Sequence, residues 1–281
     1  MGGLVSRATF QPPRAQSAPV TAAAATVHTS LGDHVPVLYV APTRDDQDVL
    51  FACHGNADDL DSFARVALAL AAHLDVGLYA FEYPGYAGTL GAAAPSERHT
   101  YAAALSAFDA LTKTHGIARE RIVVYGKSLG SAVATYVAEH RYGVKALVLV
   151  SPLLSAFRVA IPTLSVTLPG DIMATIDHIA NVEQAAIIII HGRADEVVPP
   201  RHAQWLFEAA VMSPLRIVTA ARTFPVHWLS NALHNFEVTA AAAAAVGDDD
   251  DGDDDTGRRL NDAIFATFAD IIALDLAQVS S

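Results

Sequence analysis

The stretch 122–131 constrains the fold more than any other part of the sequence. It begins with an apolar, β-branched run, Ile122-Val123-Val124-Tyr125, and continues as Gly126-Lys127-Ser128-Leu129-Gly130. The residues that follow, to about His140, carry apolar side chains at helical spacing. A strand, a sharp turn that bears Gly-x-Ser-x-Gly, and a helix are the context of a nucleophile elbow, in which a serine stands at the top of a parallel sheet.

This pattern predicts Ser128 as a nucleophile. The turn forces the serine into a strained backbone conformation, so the residues two positions away on each side must lack bulk. Gly126 and Gly130 meet that requirement. The next helix directs its positive end towards the hydroxyl. Gly-x-Ser-x-Gly alone also occurs by chance in glycine-rich loops, and the flanking strand and helix are what make the interpretation specific.

Strands and helices alternate along the rest of the chain. The patterns predict further strands at 34–40, 49–53, 76–82, 144–150, 186–190 and 215–219, and helices at 60–74, 96–115, 201–211 and 260–276. Repeated strand–helix units of this length predict an α/β fold with a mostly parallel central sheet and helices on both faces. We expect a flexible N-terminal arm over 1–30 and a single domain over 31–281.

Residues 240–257 interrupt the pattern with an alanine run followed by seven aspartates. Gly252 could serve as the sixth residue of a calcium loop, but the twelfth position would then be Arg258, where a glutamate is needed. Self-repelling charge of this density is typical of a solvated insertion. We therefore predict a disordered acidic insertion at about 240–257.

Charge and cysteine content exclude several classes of protein. The formal net charge of −12 argues against nucleic acid as a partner, because phosphate contacts need clustered Lys and Arg. The single cysteine, Cys53, permits no internal disulfide and fits a reducing compartment. No stretch reaches the ~18 consecutive apolar residues typical of a membrane-spanning helix, and the first residues lack the apolar core of a secretory signal. These features favour a cytoplasmic protein.

The first six residues match the pattern for N-myristoylation, with Gly2 as the acceptor and Ser6 in the fixed position. The alternative is a flexible terminus that happens to begin with glycine. A single acyl chain gives only marginal, reversible membrane binding. If Gly2 is acylated, we expect peripheral attachment to the cytoplasmic face of membranes.

A serine hydroxyl needs a base to remove its proton and a carboxylate to orient that base. After a nucleophile elbow the chain order is serine, acid, histidine. Asp195 fits the acid because it follows the strand at 186–190 and so lies at the same sheet edge as Ser128. Asp177 has no preceding strand, and Glu196 should point the other way, which makes both weaker candidates.

Two histidines, His234 and His227, follow the last predicted strand and could serve as the base. We prefer His234, which lies at the apparent start of a helical stretch. His54 and His191 each precede a glycine at a strand end, a position typical of a histidine that ties loop backbone. No His-x-x-x-His pair with a third ligand occurs in the sequence, so we predict neither a metal nor a cofactor.

An acyl-transfer site also needs donors for the oxyanion. One should be the backbone N–H of Leu129, directly after the nucleophile. The second should come from the loop His54-Gly55-Asn56-Ala57, which follows the strand at 49–53. We expect the N–H of Asn56 to be that donor, with the N–H of Ala57 as the alternative.

With these residues in place, the sequence resembles the α/β-hydrolase superfamily over nearly its whole length, and more narrowly the alpha/beta hydrolase domain-containing protein 17 group. The matching motifs are His54-Gly55-Asn56-Ala57-x-Asp59-Leu60, Tyr83-x-Gly85-Tyr86, Tyr125-Gly126-x-Ser128-x-Gly130-Ser131, Ser151-Pro152-Leu153-x-Ser155 with Arg158-Val159-Ala160, His191-Gly192-x-x-Asp195-Glu196-Val197, and His234-Asn235. The resemblance implies the α/β-hydrolase fold and a membrane-associated serine thioesterase that removes palmitate from protein cysteines. It also supports His234 over His227, because the family histidine is followed by asparagine.

Three departures from the family bear on this interpretation. Family members carry an N-terminal cysteine cluster that is itself palmitoylated; this chain has none, and the Gly2 pattern is its possible substitute. Lys127 stands where the family usually has glutamine, which alters the charge beside the acyl pocket. The acidic insertion has no family counterpart. The first departure leaves the membrane anchor, and with it the substrate, open.

Three functional hypotheses follow. The leading one is an acyl-enzyme thioesterase acting on palmitoylated proteins, with Ser128, His234 and Asp195 as its catalytic residues. The second is a general carboxylesterase or lysophospholipase acting on lipid-like acyl esters with the same machinery. The third is a hydrolase-fold scaffold without catalysis.

Overall fold

The computed structural model describes residues 6, 9–13, 25–86, 89, 94–219, 221–236 and 255–280. Its strands are β1 (Ala25–His28), β2 (His34–Val40), β3 (Val49–Cys53), β4 (Gly77–Phe81), β5 (Ile122–Lys127), β6 (Ala146–Val150), β7 (Ala186–Gly192) and β8 (His227–Leu229). Its helices are α1 (Leu60–His73), α2 (Glu97–Lys113), α3 (Leu129–His140), α4 (Ala156–Ala160), α5 (Thr175–Ile179), α6 (Arg201–Val211), α7 (Pro214–Thr219) and α8 (Asp255–Val279), with a 3₁₀ turn at Arg119–Arg121.

The eight strands form one sheet in the order β1-β2-β4-β3-β5-β6-β7-β8. The pairs β1–β2 and β2–β4 are antiparallel, and every pair from β4–β3 to β7–β8 is parallel. The expectation of a mostly parallel sheet is therefore confirmed. Because the C-terminal ends of parallel strands share one edge, the loops that follow β3, β5 and β7 meet there.

The central strands are buried on both faces, which explains why their sequences are apolar without interruption. In β3, Leu50 and Ala52 belong to one core cluster, and Val49, Phe51 and Cys53 belong to the other. Helices α1 and α8 pack over the first face, and α2, α3 and α6 cover the second. The sheet is thus a rigid layer between two cores.

The stretch predicted as a strand at 215–219 is instead the helix α7, and that prediction was wrong. A short run with β-branched residues does not by periodicity alone distinguish a strand from a buried helix. Pro214 occupies the first helical position, where its missing N–H costs nothing. The buried guanidinium of Arg216 then ties α7 to the carbonyl oxygens of Val182 and Ala185. The last strand is β8, which contains His227.

Some residues of the expected N-terminal arm, 1–30, are part of the fold. Ala25–His28 forms the edge strand β1, in which Val27 lies opposite Val35 of β2 and packs on the core. Phe10 is also buried, with 4% of its surface exposed. Both contacts bury an apolar side chain against the core, which is favourable because apolar surface is removed from water.

Two expectations concern residues outside the described ones: Gly2 and the acidic run at 240–254. The remaining three residues of the expected insertion, 255–257, are the first residues of α8. Within the described part of the chain, no helix combines the length and apolarity that crossing a bilayer requires.

Candidate active site

Ser128 occupies a sharp turn between β5 and α3, with a backbone φ of 50°. A side chain is strained in this left-handed region, so the surroundings must hold it there. Close packing supplies the restraint: a Cβ at Gly126 would lie 2.3 Å from the carbonyl oxygen of Gly130, and a Cβ at Gly130 would lie 2.3 Å from that of Cys53. Both positions therefore require glycine.

The imidazole of His234 lies between the serine and a carboxylate. Its Nε2 is 2.9 Å from Ser128 Oγ, and its Nδ1 is 2.9 Å from Asp195 Oδ2 and 3.1 Å from Oδ1. The imidazole is almost fully buried. A ring that donates from Nδ1 to a carboxylate presents an unprotonated Nε2 to the hydroxyl, which is the arrangement a general base needs.

Asp195 is held by more than His234. Its Oδ1 accepts the backbone N–H groups of Val197 and Val198, at 3.0 and 2.7 Å, and its Oδ2 lies 3.2 Å from His191 Nε2. Burial raises the pKa of the Asp195 carboxyl, but the hydrogen bonds from His191 and His234 outweigh it and hold the pKa well below its usual range. The carboxylate therefore stays ionised.

The other residues considered from the sequence lie elsewhere or act differently. His227 Nε2 is 2.7 Å from Asp275 of α8, so this imidazole is engaged away from the serine. Asp177 accepts the hydroxyl of Thr167. Glu196 accepts the backbone N–H of His234 at 3.1 Å, so it positions the chain that carries the imidazole.

His191 has a contact that sequence reasoning missed. We expected it to tie loop backbone, and its Nε2 does lie 3.0 Å from the carbonyl oxygen of Val198. The same nitrogen faces the carboxylate of Asp195, four residues later. The four-residue spacing of His191 and Asp195 across the end of β7 could have signalled this.

The loop after β3 faces the serine across the same edge of the sheet. Asn56 and Ala57 lie beside Ser128 and Leu129 around one cavity. The N–H of Gly55 donates to Asp58 Oδ2 at 3.1 Å, which closes the loop into a tight turn. The structure thus brings Asn56 and Leu129 to the cavity that contains Ser128.

A buried ion pair lies beneath this loop. His54 Nδ1 is 2.8 Å from the carbonyl oxygen of Gly55, and Nε2 is 2.9 Å from Glu82 Oε1. Burial alone would lower the pKa of His54, but the Glu82 carboxylate more than compensates and raises it. Glu82 also accepts the N–H groups of Leu60 and Tyr83, both at 2.8 Å. This network joins the ends of β3 and β4 to the start of α1.

Lys127, next to Ser128, is buried among the residues around the cavity. Its Nζ lies 3.9 Å from Asp58 Oδ2, within reach of an ion pair. The ammonium group of Lys127 is therefore held near the carboxylate of Asp58, in the loop that follows β3.

The cavity at the serine has a volume of about 1020 Å³. Its wall is largely apolar, with contributions from α4 and from the loop after β7. The apolar members are Ala57, Leu129, Leu153, Ala156, Phe157, Val159, Ala160, Val197 and Val198. Ligand pockets commonly measure roughly 300–1,000 Å³. Over the described residues, no group of three or more His, Cys, Asp or Glu side chains is arranged to hold a metal ion.

The sequence is similar to a hydrolase family model and to curated alpha/beta hydrolase domain-containing proteins. A family model described as serine aminopeptidase, S33 (Hydrolase_4) matches residues 44–176. The chain is 33% identical to human alpha/beta hydrolase domain-containing protein 17B over 180 residues, and this alignment covers 64% of this chain and 61% of that protein. It is 31% identical over 209 residues to protein 17C of Xenopus laevis, covering 74% and 62%. The matched part is thus about three fifths of the length of these relatives.

Solved structures show the same fold at low sequence identity. An esterase from Pyrococcus furiosus superposes with a TM-score of 0.66 and 13% identity, covering 93% of this chain and 98% of that one. Mouse alpha/beta hydrolase domain-containing protein 10 superposes with a TM-score of 0.56 and 13% identity, covering 88% and 97%. The expected α/β-hydrolase fold is thereby confirmed.

Proposed function

We propose that the chain, which has the α/β-hydrolase fold and is similar in sequence to the alpha/beta hydrolase domain-containing 17 proteins, is a serine hydrolase that removes palmitoyl groups from protein thiols. One observation carries the proposal: Ser128, His234 and Asp195 form a continuous hydrogen-bonded chain that opens into a large apolar cavity. The three hydrogen-bonded residues supply the nucleophile and its base, and the cavity can take up an acyl group.

The geometry supports a two-step acyl transfer. Ser128 Oγ attacks the thioester carbonyl while its proton passes to His234 Nε2, and the oxyanion accepts the N–H groups of Leu129 and Asn56. The C–S bond then breaks, and the imidazolium returns the proton to the leaving thiolate. Water, deprotonated by His234, attacks the acyl-serine and releases the fatty acid. Asp195 stays ionised throughout and stabilises the imidazolium.

The wall of the cavity supports a long acyl substrate. Apolar side chains dominate it, so a hydrocarbon chain that leaves water for this space gains about 0.8 kcal/mol for each buried methylene. Phe157 and Val159 are brought to the wall by α4, whose position is fixed by hydrogen bonds from the buried Arg158 to Ser155 and Thr167. A short ester fills only part of this space.

Exposed apolar side chains beside the cavity support contact with a lipid surface. Val197 lies in the wall itself, and the uncharged segment 161–170 continues from α4 with Ile161, Val166 and Leu168 exposed. The Arg201 guanidinium donates to the carbonyl oxygen of Pro162 and fixes this segment against α6. We call Ile161, Val166, Leu168 and Val197 the apolar rim. Exposed apolar surface beside a pocket is typical of a membrane or ligand interaction site.

Acylation at Gly2 would act together with the apolar rim. One myristoyl chain binds membranes only marginally, so stable attachment requires a second contribution. Thr9 lies at the cavity, and the seven peptide links from Gly2 to Thr9 span at most about 25 Å. An acylated N-terminus would therefore hold the cavity close to the bilayer, where palmitoylated proteins lie.

Vesicle flotation of the N-myristoylated full chain tests this attachment. We expect Gly2→Ala, or the triple variant Ile161→Ser/Val166→Ser/Leu168→Ser, to lower the bound fraction several-fold. Met212 is 75% exposed and lies at the C-terminal end of α6, and Met212→Ser is the matched control. Equal binding by all variants would contradict the proposed membrane contact.

Substrate competition tests the proposed reaction. Wild-type protein should hydrolyse a palmitoyl-thioester peptide with a kcat/KM at least tenfold above that for a short, soluble ester, and the peptide should inhibit ester turnover. Ser128→Ala controls for background hydrolysis. Rapid turnover of short esters with no release of palmitate from the peptide would favour the general carboxylesterase instead. A folded protein inactive on every acyl substrate would favour the scaffold.

A further inference from the structure

The described N-terminal residues lie against the active site. Phe10 is 4% exposed and belongs to the larger core cluster, and its N–H donates to the carbonyl oxygen of Ser6 at 2.8 Å. Its neighbours Thr9 and Gln11 both line the cavity that contains Ser128. We call Thr9, Phe10 and Gln11 the N-terminal clamp.

The carboxamide of Asn56 holds the backbone of this clamp from both sides of Phe10. Its Nδ2 donates to the carbonyl oxygen of Thr9 at 2.7 Å, and its Oδ1 accepts the N–H of Gln11 at 2.9 Å. The same Oδ1 accepts the hydroxyl of Tyr86 at 2.8 Å. The Asn56 side chain thus uses both its donor and its acceptor on the backbone of the clamp. The buried ring of Phe10 anchors that backbone.

We infer that the N-terminal clamp positions the loop His54-Gly55-Asn56-Ala57 that follows β3, which we call the oxyanion loop. The inference rests on the proposed function, in which the backbone N–H of Asn56 stabilises the oxyanion. That N–H belongs to the residue whose side chain the clamp holds. On its inner side the loop is fixed by His54 and by the bond from Gly55 to Asp58. The clamp and Tyr86 are the outer restraint, so Phe10 and the Asn56 side chain are positioning residues.

The size of the expected effect follows from the sensitivity of oxyanion donors to geometry. Removal of one such donor typically lowers kcat by roughly 10²–10³-fold. Release of the clamp leaves the donor present but less well placed, for which we expect a loss of about 10–100-fold in kcat. KM should change little, because the N–H interacts most strongly with the transition state.

The test uses the full-length chain and a soluble short-chain ester, with kcat and KM measured separately. Phe10→Ser removes the anchor, and Asn56→Ala removes the hydrogen bonds while it keeps the backbone N–H. Phe10→Leu retains an apolar anchor and should restore most of kcat. Met212→Ser again serves as the control. Because both changes interrupt one contact, the double variant Phe10→Ser/Asn56→Ala should be no slower than the worse single variant.

The outcomes separate this inference from the proposed function. A wild-type protein that hydrolyses no acyl substrate contradicts the proposed function before any variant is compared. An active wild type with unchanged kcat in Asn56→Ala contradicts the clamp alone. A rise in KM at constant kcat also contradicts it, since the clamp would then only line the cavity. If Phe10→Ser fails to fold, Asn56→Ala and Phe10→Leu still decide the question.

Discussion

Replacement of Asp195 by asparagine isolates the electrostatic role of one oxygen atom. In the wild type, Oδ1 accepts two backbone N–H groups, whereas Oδ2 faces His234 Nδ1 at 2.9 Å and His191 Nε2 at 3.2 Å. An asparagine can keep its oxygen on the backbone amides, which places its NH₂ group opposite both imidazoles. That NH₂ group would then donate to His234 Nδ1, so the proton of the neutral ring must move to Nε2. A ring in that tautomer cannot accept the proton of Ser128.

We expect Asp195→Asn to lower kcat by about 10⁴-fold, which corresponds to ~5.5 kcal/mol of transition-state stabilisation. The fold should survive, because the substitution conserves shape and the backbone hydrogen bonds. The assay is steady-state hydrolysis of a soluble ester, with the urea unfolding midpoint measured in parallel. Glu196→Gln is the matched control: its amide oxygen still accepts the N–H of His234, so kcat should stay within about threefold of wild type.

Two results would refute this reasoning. Asp195→Asn within tenfold of wild-type kcat would mean that the carboxylate does not set the tautomer of His234. If Glu196→Gln lost as much kcat as Asp195→Asn, the orienting role would not belong to Asp195 alone.

Three further predictions concern the imidazole, the elbow and stability. His227→Ala should leave kcat within about threefold of wild type because His227 pairs with Asp275; a 100-fold loss would contradict the choice of base. Gly130→Ala should destabilise the fold by about 3 kcal/mol in urea titration, since its Cβ would lie 2.3 Å from the Cys53 carbonyl oxygen; an unchanged midpoint would contradict that packing. Burial lowers the pKa of His202 to about 4, so the unfolded chain, with a histidine pKa of ~6.5, binds the proton more readily between these values. The free energy of unfolding should therefore fall by about 2 kcal/mol between pH 7.5 and 5 because of this group, and His202→Asn should remove that part of the change; equal slopes would contradict it.

The sequence predicted the central sheet well because buried parallel strands leave a strong signal. The bounds expected for the strand at 49–53 and the helix at 201–211 agree with the structure. The elbow could be located because its glycines answer a steric requirement that few other residues can meet. The acid and the histidine came from chain order and from the resemblance, and the structure brings His234 to Ser128 and Asp195 to His234.

Features that depend on tertiary contact could not be found in the same way. The helix α7 has a strand-like sequence and is fixed by the buried Arg216, whose partners Val182 and Ala185 lie more than 30 residues away. The docking of Phe10 leaves no local pattern, because a single aromatic residue in a polar arm reveals nothing of the surface it covers.

The central claim is that Ser128, activated by His234, forms the acyl-enzyme. Peptide mass analysis after incubation with a fluorophosphonate probe tests it most directly. We predict one adduct on the wild-type protein, at Ser128, no adduct on Ser128→Ala, and labelling at least 10³-fold slower on His234→Ala, with His227→Ala labelled at the wild-type rate. Folded wild-type protein that carries no adduct, or carries it on another residue, would contradict the account.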